Sequence, residues 1–368
     1  MKIIFYTLAF FAVLGCLDRV MGNKLGYGKQ FQDGINVTGA LVLAMAGILG
    51  LSPIISKVIG PLVLYLYNIT GIDPSIYVNS FLALDMGGYF LARDLAINKE
   101  LVDFSGMILG STLGAAVIFT IPVAFGMIEE DDKKDFAKGV LCGIVTVPLG
   151  CLVGGIMLGI KLPFVLYNLI PVIFFSILIS LGLWFFPEKV CKGFSVFGKI
   201  ITGIISIGLA LLIIETMLGV KLINGLGSID EAMSIIIRIA LTLAGAFPLL
   251  HFINKYFSRQ ISFLGKIVGL NDAGVSGFMA SLVNSIPMFG IFNKMDKSSK
   301  IINSAFAVGG SYVFGGQLGF VGGISPEVIS AFIVSKLISG LSAIWLAKII
   351  FIKKEIKSER KEYVKTIF

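Results

Sequence analysis

Long apolar stretches, repeated from one end of the chain to the other, constrain this sequence more than any other feature. Runs of about twenty predominantly apolar residues can each cross a hydrocarbon core of roughly 30 Å as an α-helix. Of the 368 residues, 56% are hydrophobic and 14% are charged, and the mean hydropathy is +0.95. A water-soluble globule of this length needs more polar surface, and the alternating segments of a membrane β-barrel are absent from the sequence. We therefore predict an all-α polytopic membrane protein.

Charges, glycines and prolines divide the apolar sequence into about eleven candidate transmembrane helices, and the pattern is compatible with ten to twelve. The first follows Lys2 and is interpreted as a helix rather than a cleaved signal, because it continues to Met21 and the sequence beyond it is also apolar. The candidates are 3–21, 35–57, 76–97, 104–128, 139–160, 163–186, 198–220, 232–253, 273–293, 301–323 and 327–352.

The net charge of +8 does not indicate nucleic-acid binding, because the basic residues lie between apolar segments and in the tail 353–368. This distribution is typical of cytoplasmic ends that contact anionic membrane lipids. The tail therefore predicts a cytoplasmic C-terminus. The lysine-free connection 322–326 is then expected outside, and the loop 294–300, which carries three lysines, inside.

Short motifs recur in the same order at a spacing of roughly 195 to 200 residues. The matching pairs are 46–53 with 241–248, 71–73 with 269–271, and 110–111 with 310–311. Duplicated halves with broken helices are a common transporter architecture, and the solute site lies at their interface. We predict a first transmembrane half over 1–186, a second over 187–352 and a basic cytoplasmic tail over 353–368. The pattern leaves open whether the halves are parallel or inverted.

Ionisable groups inside apolar spans are costly and therefore suggest function. Asp85 is the leading candidate, because Gly87 and Gly88 open the backbone beside it and Tyr89 follows at position i+4. A carboxylate, free carbonyl groups and an aromatic ring suit a small organic ammonium. The alternative is an aspartate at a helix kink that binds local backbone or Arg93.

The second half contains polar and helix-breaking residues that correspond to those around Asp85. Asn284 falls near the position of Asp85, and Pro287 is expected to break its helix, so two broken helices could expose backbone groups to a solute. Asp272 either adds polarity to the site or caps a helix. Further candidates are Asn79, at the start of the Asp85 segment, and Gln317, on a tenth span that is expected to face a cavity. The polar residues of that span also include Asn303, Ser311 and Tyr312, and some of them could instead link helices by hydrogen bonds.

Glu215 lies in an apolar run, where an unpaired carboxylate would need a cation or a proton. It could be a second cation ligand, a proton relay or a partner for Arg238.

A different function is suggested by Asp131, Asp132 and Asp135, whose spacing could hold Mg²⁺ against a diphosphate in a membrane-embedded isoprenoid transferase. Neighbouring lysines partly neutralise this motif and the sequence has no second aspartate cluster, so a solvated loop is the favoured interpretation. No nucleophilic triad or Walker-type motif is apparent either. We therefore expect no enzyme activity and no bound cofactor or metal.

Four segments resemble the ethanolamine utilisation permease family: 22–28, 82–92, 269–277 and 284–289. The resemblance covers essentially the whole chain. It implies a multi-pass protein of the bacterial inner membrane that facilitates the uptake of protonated ethanolamine, where external acidity leaves little neutral amine to diffuse. It also implies metabolic rather than bound partners, since ethanolamine then feeds a cobalamin-dependent ammonia-lyase pathway.

Two points stay open beside this resemblance. The chain could be a proton- or sodium-coupled symporter of another small amine or amino acid, because no sequence feature decides the energy coupling. A homo-oligomer is also compatible with the sequence.

Overall fold

The computed structural model describes residues 2–352, which form helices joined by turns, with no β-strand among them. The prediction of an all-α protein is confirmed. The basic tail 353–368 lies outside the described residues.

The first half of the chain contains ten helices. They are α1 (Lys2–Val20), α2 (Tyr27–Leu41), α3 (Gly47–Thr70), α4 (Pro74–Asn79), α5 (Tyr89–Leu95), α6 (Glu100–Asp103), α7 (Ile121–Met127), α8 (Lys133–Met157), α9 (Leu162–Asn168) and α10 (Ile170–Phe185).

Seven more follow: α11 (Pro187–Leu218), α12 (Ile229–Val268), α13 (Asp272–Ser281), α14 (Ile286–Gly290), α15 (Lys297–Gly309), α16 (Gly316–Ile324) and α17 (Ile329–Ala347). Wider π-helical turns lie at Val42–Ala46, Leu84–Gly88, Phe104–Gly114, Ala116–Thr120 and Lys348–Ile352, and 3₁₀ turns lie at Glu130–Asp132, Phe292–Lys294 and Pro326–Val328.

Six helical stretches within residues 2–352 are long and apolar enough to cross a membrane, and α9 with α10, bent by 41°, would make a seventh. The six are Tyr27–Thr70, Glu100–Met127, Glu130–Met157, Pro187–Leu218, Ile229–Phe257 and Pro326–Ile352. Three other predicted spans, 76–97, 273–293 and 301–323, are each interrupted near the middle. Their continuous helices are therefore shorter than a bilayer crossing requires.

Two long helices end in the same way, and each is followed by a short helix. Both α3 and α12 stop at a glycine in the left-handed conformation, Gly71 with φ 68° and Gly269 with φ 94°. Each short helix that follows begins with a side-chain cap, Asp73 for α4 and Asn271 for α13. A left-handed glycine ends a helix at no steric cost, and an Asp or Asn cap satisfies a free N–H of the next.

Close helix packing surrounds the interrupted segments. Helix α12 packs against α1, α2 and α16, and α8 packs against α10, α15 and α17. The turn Leu84–Gly88 contacts both the turn Phe104–Gly114 and α16. Small residues permit this proximity, as lipid-embedded bundles require. A Cβ added at Gly114 would lie 2.1 Å from the Leu82 carbonyl oxygen.

Candidate solute-binding site

Asp85 lies at a break between α4 and α5. Ala83 is extended, and the turn Leu84–Gly88 has non-helical dihedral angles at Met86 and Gly87, whose φ is 100°. Glycine is favoured there because other residues rarely adopt that φ, and a Cβ at Gly87 would lie 2.4 Å from a side-chain carbon of Ile48. The break leaves the Asp85 carboxylate partly exposed inside the bundle, where it lines a cavity.

Two further breaks, between α13 and α14 and between α15 and α16, pair with each other. The backbone N–H of Tyr312 donates to the Ser281 carbonyl at 2.9 Å, and that of Phe314 donates to the Leu282 carbonyl at 2.9 Å. A Cβ added at Gly315 would lie 1.8 Å from the Val283 carbonyl oxygen. Backbone that leaves the helical conformation inside a membrane is tolerated where protein groups or a water-filled cavity supply its hydrogen bonds. These two segments supply part of the backbone hydrogen bonds that would otherwise be missing at the breaks.

The breaks surround a cavity of about 200 Å³. Its polar side chains are Asp85, Asn284, Tyr312 and Gln317, so residues from both predicted halves meet here. The remaining lining residues are small, aliphatic or aromatic: Val37, Ala83, Ala115, Phe119, Leu243, Phe247, Val283 and Gly316. An apolar pocket with a few convergent polar groups is the usual form of a small-molecule site.

Gln317 contributes a polar atom that no protein group satisfies. The residue is 5% exposed, and its Oε1 has no hydrogen-bond partner among the described residues. A buried acceptor without a partner loses its hydration without compensation. A solute N–H or water in the cavity would satisfy it.

Tyr312 and Asn284 are held by local hydrogen bonds. Tyr312 has a positive φ of 62°, which is uncommon for a residue with a side chain. Its hydroxyl lies 2.5 Å from the Oγ of buried Ser285. The Oδ1 of Asn284 accepts from the Ile286 N–H at 2.9 Å, so the amide nitrogen remains available to a solute.

Aromatic rings form part of the cavity wall. Phe119 and Phe247 line it, and the Phe119 ring meets Tyr312 edge-on with centroids 5.8 Å apart. The face of such a ring attracts an organic cation. The cavity therefore offers a carboxylate, amide groups, a hydroxyl and aromatic rings within one small volume.

Asn79 lies behind the first break and not on the cavity surface. It is fully buried, and its Nδ2 donates to the Ser75 carbonyl at 3.0 Å. A Cβ added at Gly88 would lie 2.3 Å from the Asn79 Oδ1, so the side chain packs directly on the broken segment. That Oδ1 has no partner among the described residues.

Tyr89 is the first residue of α5 and does not line the cavity. It is 8% exposed, and its ring packs edge-on against Phe90 and Phe320. The i+4 proximity to Asp85 requires a continuous helix. The non-helical Met86 and Gly87 interrupt that helix, so the two side chains do not share one face.

Asp272 and Glu215 also lie away from the cavity. Asn271 is the N-cap of α13, so the prediction that Asp272 caps this helix is wrong by one residue. Asp272 occupies the first turn and pairs with Lys266 at 3.3 Å. Glu215 is partly buried in α11, with an Oε2 that has no described partner and no ion pair to exposed Arg238 within 4.0 Å.

The aspartates of the 131–135 motif do not converge. Asp132 pairs with Lys300 at 2.5 Å and Asp135 with Lys138 at 2.8 Å, while Asp131 is exposed. Within residues 2–352, no group of three or more His, Cys, Asp or Glu side chains is arranged to hold a metal ion.

Comparison with known proteins places this chain in a family. The profile of the family described as "Ethanolamine utilisation protein, EutH" matches residues 1–350. The chain belongs to the EutH family. The resemblance seen in the sequence is thereby confirmed.

Relatives within the EutH family cover nearly the whole chain. A protein of Listeria monocytogenes named "Probable ethanolamine permease EutH" is 44% identical over 93% of this chain and 92% of its own. A protein of Escherichia coli with the same name is 36% identical over 98% of both chains. An uncharacterised Bacillus subtilis protein, YxeR, is 40% identical over 92% of this chain and 91% of its own. No solved structure matches.

The structure adds Phe119, Phe247 and Lys336 to the residues singled out in the sequence, and it places Tyr312 of the polar tenth span on the cavity. The two phenylalanines carry no sequence signal, since most phenylalanines of a membrane protein pack in its core or face lipid. Lys336 did carry one, because a lysine inside the apolar span 327–352 is as unusual as Asp85. Because one charge does not interrupt the apolar window, Lys336 is included in the predicted span and is not identified there as a candidate.

Proposed function

We propose that this chain is a permease that facilitates the uptake of protonated ethanolamine across the bacterial inner membrane. Asp85 carries the proposal: its carboxylate opens onto a cavity where helices break, in a chain whose relatives are named ethanolamine permeases. Ionisable side chains in membrane spans mark solute pathways. A carboxylate is also the counter-charge that an ammonium requires.

We assign the contacts to the solute by their chemistry. The ammonium donates to the Asp85 carboxylate and to the free Oε1 of Gln317. The amide of Asn284 and the hydroxyl of Tyr312 are suited to the solute hydroxyl, while Phe119 offers its ring to the cation. A water molecule occupies about 30 Å³ in the liquid, so the four non-hydrogen atoms of ethanolamine fit with some water to spare.

Other predicted residues take indirect roles in this scheme. Asn79 and Tyr89 pack against the broken segment and fix its position. Glu215 and Asp272 are not among the residues that line the cavity, and we give them no binding role.

We further propose eleven membrane crossings in two related halves, with the three interrupted segments each counted as a crossing. The repeated glycine end and side-chain cap at 71–73 and 269–271 support related halves. Internal prolines at Pro53 of α3 and Pro248 of α12 also correspond. Broken helices that meet at a repeat interface are the arrangement expected of a secondary transporter.

The decisive experiment compares Asp85→Asn with the wild-type protein in proteoliposomes, using labelled ethanolamine below pH 8. We expect uptake at low substrate concentration to fall about ten- to a hundredfold, because a hydrogen bond to a charged group is worth about 1.5–3 kcal/mol. Asp131→Asn is the matched control, since Asp131 is an exposed loop carboxylate. It should transport like the wild type.

Unchanged uptake by Asp85→Asn would contradict the role of this carboxylate. Wild-type protein that carries another small amine in preference to ethanolamine would contradict the substrate. Accumulation above the external concentration with a proton or sodium gradient, but without a membrane potential, would instead identify a symporter.

A further inference from the structure

Lys336 is a buried lysine near the middle of a membrane-spanning helix. It lies in α17, within the span Pro326–Ile352, and is 1% exposed. Lysines near helix ends extend to the membrane surface, but the packing of α17 against α8 and the turn Phe104–Gly114 encloses this one. Ser335 and Ser339, beside it on α17, are small enough to contact Gly150 of α8 directly.

The immediate partners of Lys336 are not carboxylates. Its Nζ donates to the Ser111 carbonyl oxygen at 2.6 Å and lies 5.6 Å from the centre of the Phe332 ring. No ion pair within 4.0 Å of this group occurs among residues 2–352. An ammonium has three N–H donors, and the described residues accept from one.

The charge that acts on Lys336 is that of Asp85. Asp85 and Lys336 lie within range of mutual electrostatic interaction, and buried Cys151 also lies within range of Lys336. The two charges are thus within electrostatic range but separated by more than a direct ion pair. The carboxylate stays free to receive a second cation.

The path between the charges runs through the wall of the cavity. Ser111, which binds the lysine, precedes by one helical turn Ala115, which lines the cavity. Gly110, next to Ser111, packs on the backbone of Leu84, and Leu84 precedes Asp85. A displacement of either break would change the separation of the two charges.

We propose that Lys336 is a built-in counter-cation that compensates Asp85 when the cavity is empty, so that the empty permease can reorient without a coupling ion. This inference rests on the proposed function. An uncompensated carboxylate is costly in a low-dielectric interior. A carrier that lacks an internal cation must therefore return with a solute, a proton or a metal cation at that carboxylate.

The test separates two transport modes in proteoliposomes with labelled ethanolamine. Net uptake into vesicles without internal ethanolamine requires the protein to reorient its empty binding site from the inside to the outside. Exchange against internal ethanolamine does not require this step, because the site reorients with ethanolamine bound. For wild-type protein we expect both modes at similar rates without a sodium or proton gradient. For Lys336→Gln we expect net uptake to fall by about tenfold or more, because the carboxylate is then unpaired, while exchange stays within about threefold of wild type.

Two variants make the comparison specific. Lys336→Arg keeps the positive charge and should restore net uptake. Ser339→Ala, beside Lys336 on the same helix, removes a buried hydroxyl that has no described partner and should leave both modes unchanged. If Lys336→Gln cannot be purified as a monodisperse protein, Lys336→Met, of similar length and apolar, carries the same comparison.

Equal loss of both modes in the neutral variants, or no loss in either, would overturn the role of Lys336. Net uptake by the wild type that depends on a sodium or proton gradient would overturn it without any variant. Wild-type protein that shows neither mode with ethanolamine would instead refute the proposed function.

Discussion

Among single residues, the unsatisfied polar atoms of the interior separate into two kinds. Gln317, whose Oε1 has no partner among the described residues, lines the cavity, whereas the Oδ1 of Asn79 is enclosed against the backbone of Gly88. A buried polar atom without a partner is a cost to folding unless something else binds it. Of these two residues, Gln317 is the one that lines the cavity.

We expect Gln317→Met to raise the KM for ethanolamine by about tenfold, because one hydrogen bond to the ammonium is lost. The unfolding temperature should stay the same or rise, since the variant removes an unsatisfied acceptor at nearly constant volume. Uptake kinetics and thermal unfolding in detergent measure the two effects. Ser180→Ala, which removes an unpaired buried hydroxyl of α10 outside the cavity, is the control and should not alter KM. An unchanged KM for Gln317→Met would exclude this contact.

The sequence marks Asp85, Asn284 and Gln317 as site residues, because polar side chains in apolar spans are costly, and the three line one cavity. The placement of Tyr89 depended on a different argument, the i+4 spacing of a continuous helix. Of the two glycines read in the sequence as opening the backbone, Gly87 interrupts that continuity together with Met86, and Tyr89 packs against Phe320.

Among the helices and turns, the breaks decide the geometry of the site. The break before α16 touches the break after α13 so closely that Gly315 has no room for a side chain. Three of the eleven spans predicted from hydropathy contain such breaks, which apolar windows do not reveal. Hydropathy reports the cost of polar side chains and is blind to backbone that leaves the helical conformation.

We expect Gly315→Ala to destabilise the protein by about 3 kcal/mol, the upper end for overpacking, because the added carbon would overlap the Val283 carbonyl oxygen. Gly316→Ala is the neighbouring control, since no other atom lies within 4 Å of an added Cβ there. Thermal unfolding of the two purified variants measures the difference. Equal unfolding temperatures would mean that the two breaks do not touch in the membrane.

In the molecule as a whole, the topology depends on whether the interrupted segment that comprises α15 and α16 crosses the membrane. The lysine-rich stretch 294–300 spans the turn before α15 and the first turn of α15, and the connection 322–326 contains the end of α16. If the segment crosses, these two connections lie on opposite faces. The positive-inside bias then places the lysine-rich loop in the cytoplasm.

We expect a membrane-impermeant maleimide to label Glu327→Cys, but not Lys294→Cys, on intact cells. Both variants are made in a Cys16→Ser background, because Cys16 is the exposed native cysteine and the other three are buried. Labelling of Lys294→Cys after cells are opened is the control for reactivity. The same labelling of both positions on intact cells would show that this segment returns to the face from which it started.

The sequence by itself determined that this chain is helical, that it is apolar enough for a bilayer, and that it belongs to its family, because these properties follow from local hydropathy and residue identity. It also marked which polar residues are too costly to be accidental. Only the tertiary structure decided which of them share a cavity. Asp85 and Gln317 are far apart in the chain, and they meet because glycine-lined breaks let distant segments approach. The same packing buries Lys336, whose Nζ donates to the Ser111 carbonyl.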